Sequence, residues 1–270
     1  MRFLYRYYSN REHILDTITN LHLYHCQPNL EFNDPFDCRP YISIKQSIGF
    51  SDDIWLQFFA FLHRGQYPDE AETEILKRAQ ASLALGLHKN ARLRQQIDQE
   101  LRDVGALVRV CCFAKSPRNA MMWAHYANKY QGVVLQFRTS HLRDMTSKEF
   151  RGLSVQYSPR PLSVQEFVDA HSKAIDSHDI RAMASLFWGT KTTHWSGEEE
   201  VRFYSDQSKT HIEFDEAAMP GVIFGHKCDR ALVHDIRAAL SKWQWPPILF
   251  QTSIRNTHHK LYIAEIERPA

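Results

Sequence analysis

Residues 107–137 read LVRVCCFAKSPRNAMMWAHYANKYQGVVLQF, and this stretch sets the fold class. Leu107–Ala114 is a run of β-formers that reads as a strand. Pro117 and Asn119 then supply a helix start, with helical character through Ala127. Gly132 breaks that element and leads into a second strand, Val133–Phe137. Strand, helix and strand thus follow one another closely, but the rest of the chain does not repeat the alternation. That order argues for an α+β fold with a mixed or antiparallel sheet core, and against a doubly wound parallel sheet.

Working outward, Phe3–Tyr8 (FLYRYY) reads as a strand, and Ser9/Asn10 can cap a helix through Asn20 with Ile14, Leu15 and Ile18 at helical spacing. His22–Cys26 reads as a second strand running into Pro28 and the loop EFNDPFDCRP. Residues 50–105 change character. Ser51-Asp52-Asp53 starts one helix, Pro68-Asp69-Glu70 a second, and a third follows Gly86, with Leu76, Ala79 and Leu83 at helical spacing. This is read as an all-helical insertion within a single α+β domain spanning residues 1–270. Past Pro161 come a helical pair (163–188), strands at Glu200–Tyr204 and Gly221–Gly225, a helix Asp229–Trp243, and a hairpin Ile248–Ile254/Leu261–Ile266 joined through Asn256-Thr257.

Composition narrows the function. Of 270 residues, 43% are hydrophobic and 12% aromatic, enough for a sizeable core. With 33 Lys+Arg against 31 Asp+Glu the net charge is +2, too balanced for a dedicated nucleic-acid coat or a membrane-surface protein. Ten glycines and no G-x-G-x-x-G, Walker A or G-x-S-x-G string disfavour a glycine-rich phosphate cradle. The amino-terminal apolar residues are interrupted by Arg2, Arg6 and Arg11, and the most apolar window, Trp55–Leu62, is too short to span a bilayer. Five cysteines (Cys26, Cys38, Cys111, Cys112 and Cys228), none in C-x-x-C, read as free thiols. The expectation is a soluble cytoplasmic protein with no membrane partner.

Three segments carry more polar chemistry than packing needs. In Phe32–Asp37 (FNDPFD), Asn33 and Asp34 precede Pro35 and hold an extended or turn conformation. They read either as an Asx turn pinned by phenylalanines or as a loop gripping a ligand's hydroxyls or a metal. In residues 111–137, Lys115 and Ser116 stand at a helix start that favours an anion, with Met122, His125 and Tyr126 on the helix. His125 is a packing residue in one reading and a member of a nucleotide pocket in the other. In His194–Tyr204, an extended chain puts Glu198, Glu200, Arg202 and Tyr204 on one face opposite Val201 and Phe203. That face is a reaction surface, or a solvated one on which Glu200 and Arg202 neutralise each other. Weaker candidates are set aside: His22/His25/Cys26 and His258-His259 as zinc sites, Cys112 with His125 as a thiol–imidazole pair, and Lys191, Arg151 and the Lys89–Arg102 stretch as surface charges.

These segments, in this order, resemble a widespread bacterial family of unknown function, DUF 2971. The resemblance rests on Leu4–Tyr7, Phe32–Asp37, Cys112–Ser116, Met122–Ala127 with Gly132-Val133, Glu198–Arg202 and Val222–Cys228. Gly197 stands where an aromatic is usual, and Val201 where Trp is usual. The element order is also similar to the ADP-ribosyltransferase superfamily, which implies a split sheet and NAD as substrate. That likeness assigns Arg6 to the dinucleotide, Tyr7 or Tyr126 to stacking, and Asn33 and Asp34 to a ribose or acceptor. Ser116 and Arg202 join the cofactor-binding set. Glu200 becomes the catalytic carboxylate, with Glu198 preparing the acceptor and His125 beside them. The acceptor, nucleotide or macromolecule, stays open, and a toxin or phage-defence effector of this kind leaves room for an inhibitory protein partner. Two alternatives remain: a metal-dependent phosphodiesterase or nuclease using Asp34, Asp37, Glu198 and Glu200, and a non-catalytic binding or sensor module.

Overall fold

The computed structural model describes residues 2–34, 36–38, 50–90, 95, 99, 108–144, 151–177, 181–206, 208–255 and 260–268. In chain order the elements are β1 (Phe3–Tyr8), α1 (Arg11–Asn20), β2 (His22–Tyr24), α2 (Pro28–Glu31), α3 (Asp52–Gln66) and α4 (Glu72–Ala84). Then follow β3 (Val108–Ala114), α5 (Ala120–Tyr126), β4 (Val133–Arg138), α6 (Thr139–Asp144), β5 (Arg151–Ser154) and β6 (Gln156–Ser158). The remainder are α7 (Val164–Ser177), α8 (Arg181–Trp188), β7 (Thr190–Thr192), β8 (Glu200–Asp206), β9 (His211–Glu213), β10 (Gly221–Phe224), α9 (Arg230–Leu240), β11 (Ile248–Arg255) and β12 (Lys260–Glu267).

The chain divides into two compact units, one of residues 1–27, 108–155 and 194–270, the other of residues 28–107 and 156–193. The first holds a mixed, open eight-stranded sheet in the order β12-β11-β10-β4-β1-β3-β8-β5, so the fold is α+β. These strands form one continuous ladder and not two half-sheets. Among the described residues of this sheet only β10 and β11 pair in parallel, with α9 between them in sequence. β12 and β5 are the outer strands, and a separate two-stranded sheet joins β2 to β9.

One face of the large sheet is closed by α1 and α9. Asn10 caps α1 by accepting from Glu12 N and His13 N at 2.7 and 3.3 Å, which satisfies two of the orphan donors of the first turn. Ile14 and Ile18, four apart, are fully buried against Leu4, Phe137 and Phe224. Each contributes about 1.5–3 kcal/mol by leaving water. Asp229 caps α9, whose Leu232, Ile236 and Leu240 repeat every four residues into the same core. The opposite face is covered by α5 and the turn after it, where Trp123 and Ala127 pack on Val134 and Ile223. Asn128, Lys129 and Tyr130 in that turn all have positive φ, at 45°, 52° and 70°. Gly132 follows them because any Cβ there would meet the Tyr8 carbonyl at 2.0 Å.

The second unit is mostly helical and includes the pair α7–α8 beside α3 and α4. Trp55, Phe58, Phe59 and Leu62 of α3, Ile75 and Ala79 of α4, Phe167 of α7 and Phe187 of α8 form its core. Phe58 and Phe167 meet edge to face at 5.5 Å, a geometry aromatic pairs prefer. β6 and β7 pair in parallel in this unit. Lys191, expected at the surface, is buried at 6% exposure because its ammonium lies 3.1 Å from the buried Asp37 carboxylate. The second helix begins at Glu72, a few residues after Pro68. The third helix after Gly86 is described only as a turn at Leu87–Lys89. Most of Lys89–Arg102, together with Pro35, the Asn256-Thr257 turn and His258-His259, lies outside the described residues, as does the Arg151 side chain.

Candidate functional site

Pairing across the ladder fixes which side chains share a face, because directly opposed residues point the same way. Tyr5 faces Ala114, Ala114 faces Glu200, and Cys112 faces Arg202. Tyr5, Tyr7, Cys112, Glu200 and Arg202 therefore stand on the α5 side of the sheet. Arg6, one residue out of phase, stands on the other side with Leu135 opposite it. There its guanidinium donates to the Cys111 thiol and to the Tyr24 carbonyl, the latter at 2.8 Å, and lies over the Tyr8 ring. The sheet thus lies between Arg6 and Glu200, and the two do not line one site.

On the α5 side, Tyr7 donates to the Ser116 carbonyl at 2.8 Å and meets Trp123 edge-on at 5.5 Å. Trp123 Nε1 donates to the Pro117 carbonyl at 2.7 Å. Asn119 caps α5 through Met121 N and Met122 N, and its amide also donates to the Gly197 carbonyl. These bonds hold the helix start against the segment that carries the glutamates.

That segment is not extended throughout. Thr193–Glu198 is a 3₁₀ turn, and Glu199 has φ 48°, so the strand starts at Glu200. The Glu199 carbonyl accepts from Lys115 N at 3.2 Å, which ties the kink to the end of β3. Glu198 consequently does not share a strand face with Glu200, contrary to the alternation expected from the sequence. It is nevertheless buried at 2% exposure, and Tyr126 Oη donates to its Oε1 at 2.5 Å. Glu200, Arg202 and Tyr204 do share a face, as expected, but that face is buried and not solvated. Arg202 grips Glu200 with both prongs, Nε to Oε1 at 2.9 Å and Nη2 to Oε2 at 2.8 Å. Such a forked pair is the strong form of an ion pair.

The other sequence candidates fall as follows. His125 is exposed on α5. Burial, reinforced by the Glu200 carboxylate, pushes the Cys112 thiol well above its ordinary range. Burial raises Cys111 to about 11 in spite of Arg6. Both thiols therefore keep their protons at neutral pH, which removes the thiol–imidazole reading. Asn33 and Asp34 belong to the second unit. There Phe36 N donates to Asp34 Oδ1 at 2.9 Å, the Asx turn that was one of the two readings, and Asn33 is exposed. For the metal alternative, Asp37 is taken by Lys191 and Glu200 by Arg202. Among the described residues the three-ligand grouping is instead Asp16, His22 and His211.

What fold and site define is an α+β protein with an open mixed sheet, in which a buried glutamate on β8 pairs with an arginine and another, in the turn before β8, accepts from a tyrosine. Residues 122–203, from α5 into β8, match the model of a family described as a protein of unknown function (DUF2971). The match takes in Met122–Ala127, Gly132-Val133 and Glu198–Arg202, and thus the Tyr126–Glu198 and Glu200–Arg202 pairs. No curated protein and no solved structure matches the chain. Among the described residues, no helix is long and apolar enough to cross a membrane.

Proposed function

We propose that the α5 side of the sheet is the reaction surface of an ADP-ribosyltransferase-like enzyme acting on NAD. The observation that supports this is the part-buried Tyr126–Glu198 hydrogen bond together with the buried Glu200–Arg202 pair. In this reading the C1′–N glycosidic bond of NAD breaks and neutral nicotinamide leaves with the bonding pair. The ribose then carries oxocarbenium-like charge, which a fixed carboxylate stabilises. Glu198 suits that role because Tyr126 orients it by donating to Oε1 while itself carrying no charge. Glu200, whose charge Arg202 balances, positions the strand. The acceptor's oxygen or nitrogen attacks C1′ and loses its proton, water serving when no other acceptor is present. Tyr7 and Ser116 line the same side, and Arg6 is left out of the site.

The test is nicotinamide release from NAD by the purified chain, with and without cell lysate to supply acceptors. Release is expected from the wild type, falling at least 100-fold in Glu198→Gln and about 10-fold in Tyr126→Phe. A second reading, a non-catalytic binding module, is favoured by the same two pairs, since each polar group there already satisfies another. Absence of release from a folded wild-type protein would leave that second reading standing alone.

A further inference from the structure

We propose that Asp16, His22 and His211 form a binding site for a divalent first-row transition cation, on the α1/β2/β9 corner of the first unit. One ligand atom from each of the three lies within 4.8 Å of the others. Donors bound to a zinc ion at about 2.0–2.1 Å stand a little over 3 Å apart, so closure needs side-chain adjustments of about 1 Å.

Three separate elements supply the ligands. Asp16 comes from α1, His22 opens β2 and His211 opens β9. In the ladder Tyr24 faces His211 and His22 faces Glu213, which puts His22, Tyr24, His211 and Glu213 on one face of the small sheet. The two imidazoles lie 4.3 Å apart between centroids. Two imidazoles this close gain little from each other in water, whereas a shared cation gives both a lone-pair acceptor.

The ligands are already oriented. His22 Nε2 is 2.7 Å from Asp16 Oδ2, and the other Asp16 oxygen accepts from Asn20 at 2.7 Å. Thr210 Oγ1 lies 2.9 Å from His211 Nδ1. The Asn20 and Thr210 contacts lie outside the proposed ligand set and fix carboxylate and ring orientation, as outer contacts do in metal sites. Two imidazoles and one carboxylate are the donor set of zinc and of non-haem iron, and are unlike the all-oxygen sets of calcium or magnesium. Water completes the shell. Arg109, which acts electrostatically on His211, opposes the cation and sets a ceiling on affinity.

The proposal is independent of NAD chemistry. The full chain, stripped with EDTA and dialysed, is titrated with Zn²⁺ by calorimetry and with Co²⁺ by visible absorption. One equivalent should bind with micromolar or tighter affinity, and Co²⁺ should give the absorption of a histidine-ligated ion. His22→Ala and His211→Ala should each weaken binding at least 10-fold, while His234→Ala, an exposed histidine of α9, should leave it unchanged. Should His22→Ala fail to fold, the exposed His211→Ala and the wild-type Co²⁺ spectrum decide. No saturable binding by the wild type, a Co²⁺ spectrum without histidine ligation, or affinity equal in His211→Ala and wild type overturns the site.

Discussion

Acidification should unfold this protein through one residue, His25. Its side chain is fully buried, with Ser205 Oγ 3.4 Å from Nδ1, and its backbone N donates to the Thr210 carbonyl at 2.8 Å. Burial, followed by the nearby charges of Arg6 and His211, pushes its imidazole down from 6.5 to about 3. Burial disfavours a charge there, and the neighbouring Arg6 and His211 oppose it. Between those two pH values the unfolded chain binds the proton and the folded chain does not, so stability is complete above about pH 6.5 and drains away as pH falls toward 3. At pH 4.5 the unfolded state has gained a factor of about 100, or about 3 kcal/mol. A folded value one unit higher would change that figure little, because at pH 4.5 the folded group would still be mostly neutral. The assay is urea unfolding at pH 7.5, 6.0 and 4.5 for wild type and His25→Gln, which removes the titration. The other histidines cancel in the difference. Whatever the variant costs at pH 7.5, its deficit should shrink by about 3 kcal/mol by pH 4.5. A deficit that stays constant across the range refutes the reasoning.

Gly132→Ala should cost more than about 3 kcal/mol, since its new Cβ meets backbone on both sides, the Tyr8 carbonyl at 2.0 Å and Ala127 at 3.0 Å. Gly65→Ala, in α3 with nothing within 4 Å, should instead stabilise by about 0.5–1 kcal/mol; thermal melts of the two variants check both signs. Lys191→Met, which strips the ammonium from the buried Asp37 pair, should cost about 3–5 kcal/mol, with most of it recovered in the Lys191→Met/Asp37→Leu double variant. Equal losses in the single and double variants by denaturant titration would show that the ion pair is not what Lys191 contributes.

Much of the first unit could be read from local pattern, because its long strands and capped helices obey period 2 and period 3.6. Phe3–Tyr8, the Asn10 cap and the 248–267 hairpin carry their own signals. The short strands do not. His211–Glu213 is three residues with two exposed, and Gln156–Ser158 and Thr190–Thr192 are polar and pair in parallel. The candidate site was legible in its residues but not in its assembly. Tyr126 and Glu198 are 72 positions apart, and their meeting depends on a left-handed Glu199 that an E-E-E run does not announce. Alternation puts Arg6 and Tyr7 on opposite faces, yet which face meets Glu200 is decided by the remote pairings Tyr5–Ala114 and Ala114–Glu200. The His22–His211 partnership was missed for the same reason, since nothing near His22 points to a residue on β9.

The outer position of β12 bears on how this protein behaves in a crowded solution. An open sheet ends in a row of unpaired amide and carbonyl groups that any extended chain can extend. The exposed Ile254 and Ile266 would make such an addition adhesive. Along β12, however, Lys260, Glu265 and Glu267 are exposed, Glu267 bonded to Arg237 at 2.7 Å and Glu265 to Arg268. A second molecule laying a strand there would have to strip water from these charges and break those pairs. The carboxyl-terminal strand therefore guards the molecule against templated self-association, a duty distinct from holding the sheet together.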